Sequence, residues 1–104
     1  MVDETAQVVH NVAGARFELV AEGQTAHLDY HLAGDRIRFT HIEVPPAERG
    51  HGFAEDLTRA GMEYARRDQL RVVPICPFVR TFLSHHQEYL PLVDEHWKGH
   101  LSDP

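Results

Sequence analysis

The sequence predicts a mixed α/β domain of the α+β kind, with a mostly antiparallel sheet flanked by two helices. Three observations carry that expectation. Three consecutive segments between Arg16 and Val44 alternate with the period of a strand. A segment with helical spacing follows, and then a short apolar run leads into a second helical stretch. A chain of 104 residues has room for one domain. Its core is expected over about 15–93, with a loose tail over 94–104.

Residues 1–6 read as a frayed end. Arg16 to Ala21 sets Phe17, Leu19 and Ala21 on one face, and Glu22-Gly23-Gln24 turns the chain. Ala26 to Leu32 alternates again, with Ala26, Leu28, Tyr30 and Leu32 together. Ala33-Gly34-Asp35 makes the next turn, and Ile37 to Val44 completes an antiparallel meander that Pro45-Pro46 stops. The first helix, Phe53 to Arg67, carries Phe53, Ala54, Leu57, Ala60, Gly61, Tyr64 and Ala65 at spacings of three and four. Gly61 inside it costs about 1 kcal/mol relative to alanine, which implies close packing against the sheet. Leu70 to Ile75 is apolar enough for a central strand covered on both faces. A second helix is expected from about Pro77 to His85, and a last short strand over Tyr89 to Val93.

Composition excludes several classes of function. Hydrophobic residues make up 42% and charged residues 25%, the proportions of a folded globular chain. The apolar stretches are too short to span a bilayer, and Met1-Val2-Asp3-Glu4 begins no signal sequence, so no membrane partner is expected. A single cysteine fits a reducing compartment, and the expected location is cytoplasmic. Net charge is −6 with neutral histidines, and Arg66, Arg67 and Arg71 gather only about one helix end, so nucleic acid is not an expected partner. An acidic surface suits a cationic substrate such as an amine.

The run from Val44 to Ala54 joins a strand to a helix through a loop marked by proline and glycine. Such a junction offers backbone N–H groups and a helix N-terminus to a phosphate. Gly50 and Gly52 let main chain approach an anion, and Arg49 adds a positive fork. No Walker loop is present, because Gly-Lys-Ser/Thr is missing, and no Gly-x-Gly-x-x-Gly of a dinucleotide fold occurs. Cys76 lies at the next strand-to-helix junction. Pro77 at the first helical position makes Cys76 the N-cap, where the helix favours a thiolate. Burial as a small hydrophobe is the alternative reading of a lone cysteine.

These motifs carry a resemblance. Arg49-Gly50-His51-Gly52-Phe53-Ala54 fits the Arg/Gln-x-x-Gly-x-Gly/Ala coenzyme A motif of the GNAT acetyltransferases. In order, His41-Ile42-Glu43-Val44-Pro45, Arg49-Gly50-His51-Gly52, Pro74-Ile75-Cys76-Pro77-Phe78-Val79 and His86-Gln87-Glu88-Tyr89 resemble four segments of the minimal single-domain GNAT-like family. The likeness covers about residues 15–93. Ile42 replaces the usual threonine and Gln87 the usual proline. The resemblance implies a truncated GNAT fold and an N-acetyltransferase that takes acetyl-coenzyme A and passes the acetyl group to an unidentified primary amine, either a small molecule or an exposed lysine of another macromolecule.

It also implies site residues. Coenzyme contacts are expected from Val44, Arg49, Gly50, His51, Gly52, Phe53 and Ala54, and from Cys76, Phe78 and Arg80. The pantetheine arm would run between the strands that end at Val44 and Ile75. Cys76 is the expected nucleophile, through an acetyl-cysteine, with direct amine attack on the thioester as the competing route. His41 is the expected general base. Alternation sets it opposite Thr40 and Ile42, and together with Phe39 and Val44 only if a bulge intervenes. Glu43 could orient His41 or attract a cation, although its place along the strand is read as the opposite face. Arg80, one turn beyond Cys76, could meet the thiolate, a phosphate or only water. His86, Glu88 and Tyr89 read as structural. His96 and His100 have the spacing of two helical metal ligands, with His85 and His86 nearby in sequence, but no ligand set completes them and no metal is expected. A coenzyme-binding module without turnover is the alternative function.

Overall fold

The computed structural model of the protein describes residues 8–99. Among them, five strands form one sheet in the order β1 (Val8–Asn11), β2 (Arg16–Ala21), β3 (Gln24–Ala33), β4 (Arg36–Glu43) and β5 (Arg71–Pro74). The first four pair antiparallel, and β5 joins β4 in parallel after the crossover helix α1 (Phe53–Arg67). Parallel neighbours need such a crossover, and a hairpin cannot make one. Helix α2 (Pro77–His85) follows β5, and α3 (Glu95–Lys98) closes the described chain. The predicted α+β fold, mostly antiparallel with helices against it, is the observed one.

The core lies between the helices and one face of the sheet. Phe17, Leu19, Ala26, Leu28, Ile37 and Phe39 meet Leu57, Met62 and Ala65 of α1 and Val79, Phe82 and Leu83 of α2. The close packing expected at Gly61 is present: a Cβ there would stand 2.8 Å from the Phe39 ring and 3.4 Å from Leu28. The buried stripe of α1 is Leu57, Thr58, Gly61, Met62 and Ala65, so it includes Thr58, whose hydroxyl donates to the Ala54 carbonyl at 2.8 Å. That bond is what lets a hydroxyl enter the core.

Three expectations need correction, and one strand has no counterpart among them: Val8–Asn11 forms an edge strand that its brief polar-broken pattern does not announce. β5 is not central; it is the last strand of the sheet. It reads as buried because the chain returns to cover its free edge, where Val93 bridges Val72 in parallel and the Asp94 N–H donates to the Val72 carbonyl at 2.8 Å. The strand expected over Tyr89 to Val93 is a 3-10 helix, Gln87–Leu92, with Pro91 inside it. Proline has no N–H for a strand ladder. Finally, the tail is ordered through Gly99: Asp94 caps α3 by accepting from His96 N–H and accepts the Arg36 Nε–H at 3.0 Å. The frayed end expected over 1–6 and the metal-ligand spacing that depends on His100 lie outside the described residues. No helix among those described is long and apolar enough to cross a membrane.

Candidate functional site

The site begins where two strands part. β4 and β5 pair from Arg36↔Arg71 to Phe39↔Pro74, and β4 then runs on through Glu43 without β5 beside it. At the parting, the Cys76 N–H donates to the Phe39 carbonyl at 2.9 Å. Cys76 is the N-cap of α2, with Pro77 behind it, as the sequence predicts. Its side chain is 4% exposed and belongs to the apolar core.

A β-bulge opens at the same place. Asp29 opposes His41 and Tyr30 opposes Phe39, so Thr40 is the extra residue. The expectation that a bulge would bring His41 together with Phe39 is reversed: two residues apart on an unbroken strand would share a face, and the bulge turns Phe39 into the core and leaves His41 exposed. Glu43, however, lies on the same face as His41, not the opposite one. The two are separated by one residue of regular strand, and His41 Nε2 lies 3.0 Å from Glu43 Oε1. His27 stands next to them, its ring centroid 6.2 Å from that of His41 and its Nδ1 3.0 Å from Asp29 Oδ1. Arg16 donates to that same Asp29 oxygen at 3.1 Å. Among the described residues no hydrogen bond joins His41 to Cys76.

Past Val44 the chain makes a 3-10 turn, Pro46–Glu48, and enters the glycine loop. Gly50 and Gly52 have φ of +87° and +80°, the left-handed region that glycine enters without strain. Gly52 caps α1 and brings no side chain to its first-turn N–H groups, which are left to a ligand or water. A pocket of about 320 Å³ opens here, walled by Val44, Glu48, Arg49 and the loop on one side and by Phe78 of α2 on the other. Among the residues expected at the coenzyme, Val44, Arg49, Gly50, Gly52, Phe53, Ala54 and Phe78 line it. His51 is exposed, its ring 5.9 Å from that of Phe53. Arg49 also braces the loop, donating from Nε to the Val44 carbonyl at 3.1 Å.

Arg80 faces inward along the chain. One terminal nitrogen donates to the Pro74 and Ile75 carbonyls at 3.1 and 3.0 Å, so its guanidinium holds the turn that presents Cys76. His86 stacks on Phe82 with centroids 4.2 Å apart and sets Nε2 3.3 Å from Glu55 Oε2, joining the end of α2 to the first turn of α1. The Tyr89 hydroxyl donates to Glu63 at 2.6 Å beneath the Arg66 guanidinium; burial raises its pKa, and the bond to Glu63 adds to the rise.

Sequence reasoning singled out neither Glu48 nor Glu55 as pocket residues, nor the Arg16–Asp29–His27 group beside His41. Pro45-Pro46 was the available signal for Glu48: proline at the start of a 3-10 turn folds the following residues back against the strand end. For the His41 neighbours the signal was alternation, which gathers Arg16, His27 and Asp29 on the face opposite Phe17, Leu28 and Tyr30.

A glycine loop at a helix start, beside a mixed sheet whose last two strands part, is the α+β class of architecture this chain presents. Comparison of sequences specifies the class. Residues 16–92 match the GCN5-related N-acetyl-transferase family, and the chain belongs to that family. Protein NATD1 of Gallus gallus is 30% identical over 93 residues, 86% of this chain and 83% of its own length. Protein NATD1 of Bos taurus is 34% identical over 62 residues, 59% of this chain and 55% of its own, so the chain spans about half of that relative.

Proposed function

We propose that the protein transfers an acetyl group from acetyl-coenzyme A to a primary amine. The observation that supports this reading is a glycine-loop pocket that begins at Val44, directly after the β4 segment that runs on past β5, with Cys76 held at the last β4–β5 contact, although Cys76 does not itself line the pocket. The pyrophosphate rests on the N–H groups of the loop and the α1 start, with Arg49 beside it. The pantetheine arm passes Val44 and Phe78 and lies along Thr40 to Glu43, whose backbone groups on the β5 side lack a strand partner. This brings the thioester to Cys76.

In the covalent route the Cys76 thiolate attacks the thioester carbonyl carbon. The new C–S bond forms as the bond to the coenzyme sulfur breaks, and the departing coenzyme thiolate takes up a proton. The amine, freed of its ammonium proton by His41, then attacks the acetyl-cysteine; the C–S bond breaks as the C–N bond forms, and the proton the nitrogen sheds in becoming an amide passes to the departing Cys76 sulfur. Glu43 holds the His41 imidazole and stabilises it when it carries that proton. The negative neighbours Asp29 and Glu43 favour a cationic acceptor.

A second reading, a coenzyme-binding module without turnover, is favoured by the depth of Cys76 and by the absence of a base hydrogen-bonded to it among the described residues. Intact mass after mixing with acetyl-coenzyme A separates the readings. The covalent enzyme gains one acetyl group at Cys76 and loses it to an added amine. Amine acetylation without an adduct establishes direct transfer, and binding without product establishes the module. Failure to bind the coenzyme overturns all three.

A further inference from the structure

Three polar or charged side chains are buried among the described residues, Glu48, Thr58 and Asp94. Thr58 is bonded to Ala54, and Asp94 to Arg36 and His96. Glu48, 6% exposed, has no side-chain partner among the described residues, yet no side-chain oxygen fully shut off from the surface lacks a partner. Its carboxylate oxygens therefore keep some access to the surface, and Glu48 is one of the residues that line the pocket. Its charged neighbours make other bonds: Glu55 meets His86, and Arg49 donates from Nε to the Val44 carbonyl. A carboxylate on so little-exposed a side chain, without a protein partner, is well served by a ligand that supplies the missing donor.

An ionised carboxylate only accepts hydrogen bonds, so the ligand must bring an N–H or O–H to it. Phosphate oxygens cannot do this and are repelled by it. We infer that Glu48 is a specificity residue that accepts a hydrogen bond from the amide or hydroxyl groups of the pantetheine arm, an inference that rests on the coenzyme reading of this pocket. Glu48 stands between Val44, where the parted strand ends, and the glycine loop, so it meets the ligand where phosphate gives way to the arm. Phosphate-only ligands then meet a charge of their own sign without the arm's donors to satisfy it, and the pocket prefers the complete coenzyme to a bare nucleotide.

Calorimetry with dephospho-coenzyme A and with ADP tests this, because the two share adenosine and pyrophosphate and differ by the arm. Glu48→Met should weaken dephospho-coenzyme A about tenfold or more, the loss expected for a charge-assisted hydrogen bond, while ADP binds equally or more tightly. Glu48→Gln keeps the shape and one acceptor oxygen and should lose only part of that affinity. Retained ADP binding shows in each variant that the pocket is still folded. Equal weakening of both ligands would move the donor to the nucleotide half and overturn the inference. So would tightening of both, which would make Glu48 purely repulsive. A wild-type protein that binds neither ligand would instead overturn the coenzyme reading itself.

Discussion

Cys76 hangs from Phe39. Its N–H donates to the Phe39 carbonyl at 2.9 Å, and this bond follows the last β4–β5 pair before the strands separate. The thiol is thereby fixed at the apex of the gap by main chain, with Arg80 holding the two preceding carbonyls. Removal of the side chain leaves that scaffold intact. Cys76→Ala should keep coenzyme affinity within about twofold, a change well under 1.4 kcal/mol, while the acetyl-enzyme disappears from the mass spectrum. Full turnover in the variant would rule out the covalent route.

Arg49 has two tasks that a pair of variants can separate. Its Nε–H braces the Val44 carbonyl, and its remaining N–H groups stand at the rim of the pocket. Arg49→Ala should weaken coenzyme A about tenfold through the phosphates, the size of one lost charge-assisted contact. Affinity for a pantetheine fragment without phosphates should stay the same. Arg49→Lys should fall between, since a point charge replaces the fork. Comparable loss for both ligands would mean that Arg49 acts by bracing the loop alone.

Gly61 sets how near α1 comes to the residue that holds Cys76. An added methyl would stand 2.8 Å from the Phe39 ring, itself fully buried. Gly61→Ala gains about 1 kcal/mol of helix propensity but incurs about 1–3 kcal/mol of overpacking, so a net loss near 1 kcal/mol is expected. For a domain of this size that lowers Tm by roughly 4–8 °C. A rise in Tm would show that Phe39 can yield without strain.

The legible part of this molecule is the part governed by local pattern. Period-two alternation predicted β2 to β4, helical spacing placed α1 and α2, and Pro77 located Cys76 at a cap. What escaped depended on partners far away in sequence. The burial of β5 came from Val93 and Asp94 returning to its edge, and hydropathy cannot distinguish that from a central position. The bulge at Thr40, which separates Phe39 from His41, is a register property of β3 against β4. Glu48 carried no reading from the sequence because its burial arises from the 3-10 turn beside the pocket. Glu43 was misread for a simpler reason: a spacing of two on a strand means the same face.

His10 gives the edge strand β1 a pH-dependent hold on the domain. Its ring stacks on Phe17 at 4.2 Å, meets Tyr64 of α1 edge-on at 4.5 Å, and sets Nε2 2.6 Å from the Tyr30 hydroxyl. Burial lowers its pKa below the ordinary 6.5, and Arg67 lowers it further against a smaller upward pull from Asp68. The folded state therefore binds the proton less readily than the unfolded chain. Above about pH 6.5 neither state is protonated, and the contribution of His10 to stability is complete. As the pH falls through 6.5 toward the lowered folded value, the unfolded state takes up the proton first and stability declines. Tyr30, whose own pKa is raised by burial and by Tyr64, stays neutral throughout. His10→Phe keeps a stacking ring and removes the titration, so any loss of the Tyr30 bond is an offset independent of pH. The Tm difference between wild type and variant should shrink, or change sign, as pH drops from 7.5 to 5. A difference that stays constant over that range would mean that His10 does not couple protonation to folding.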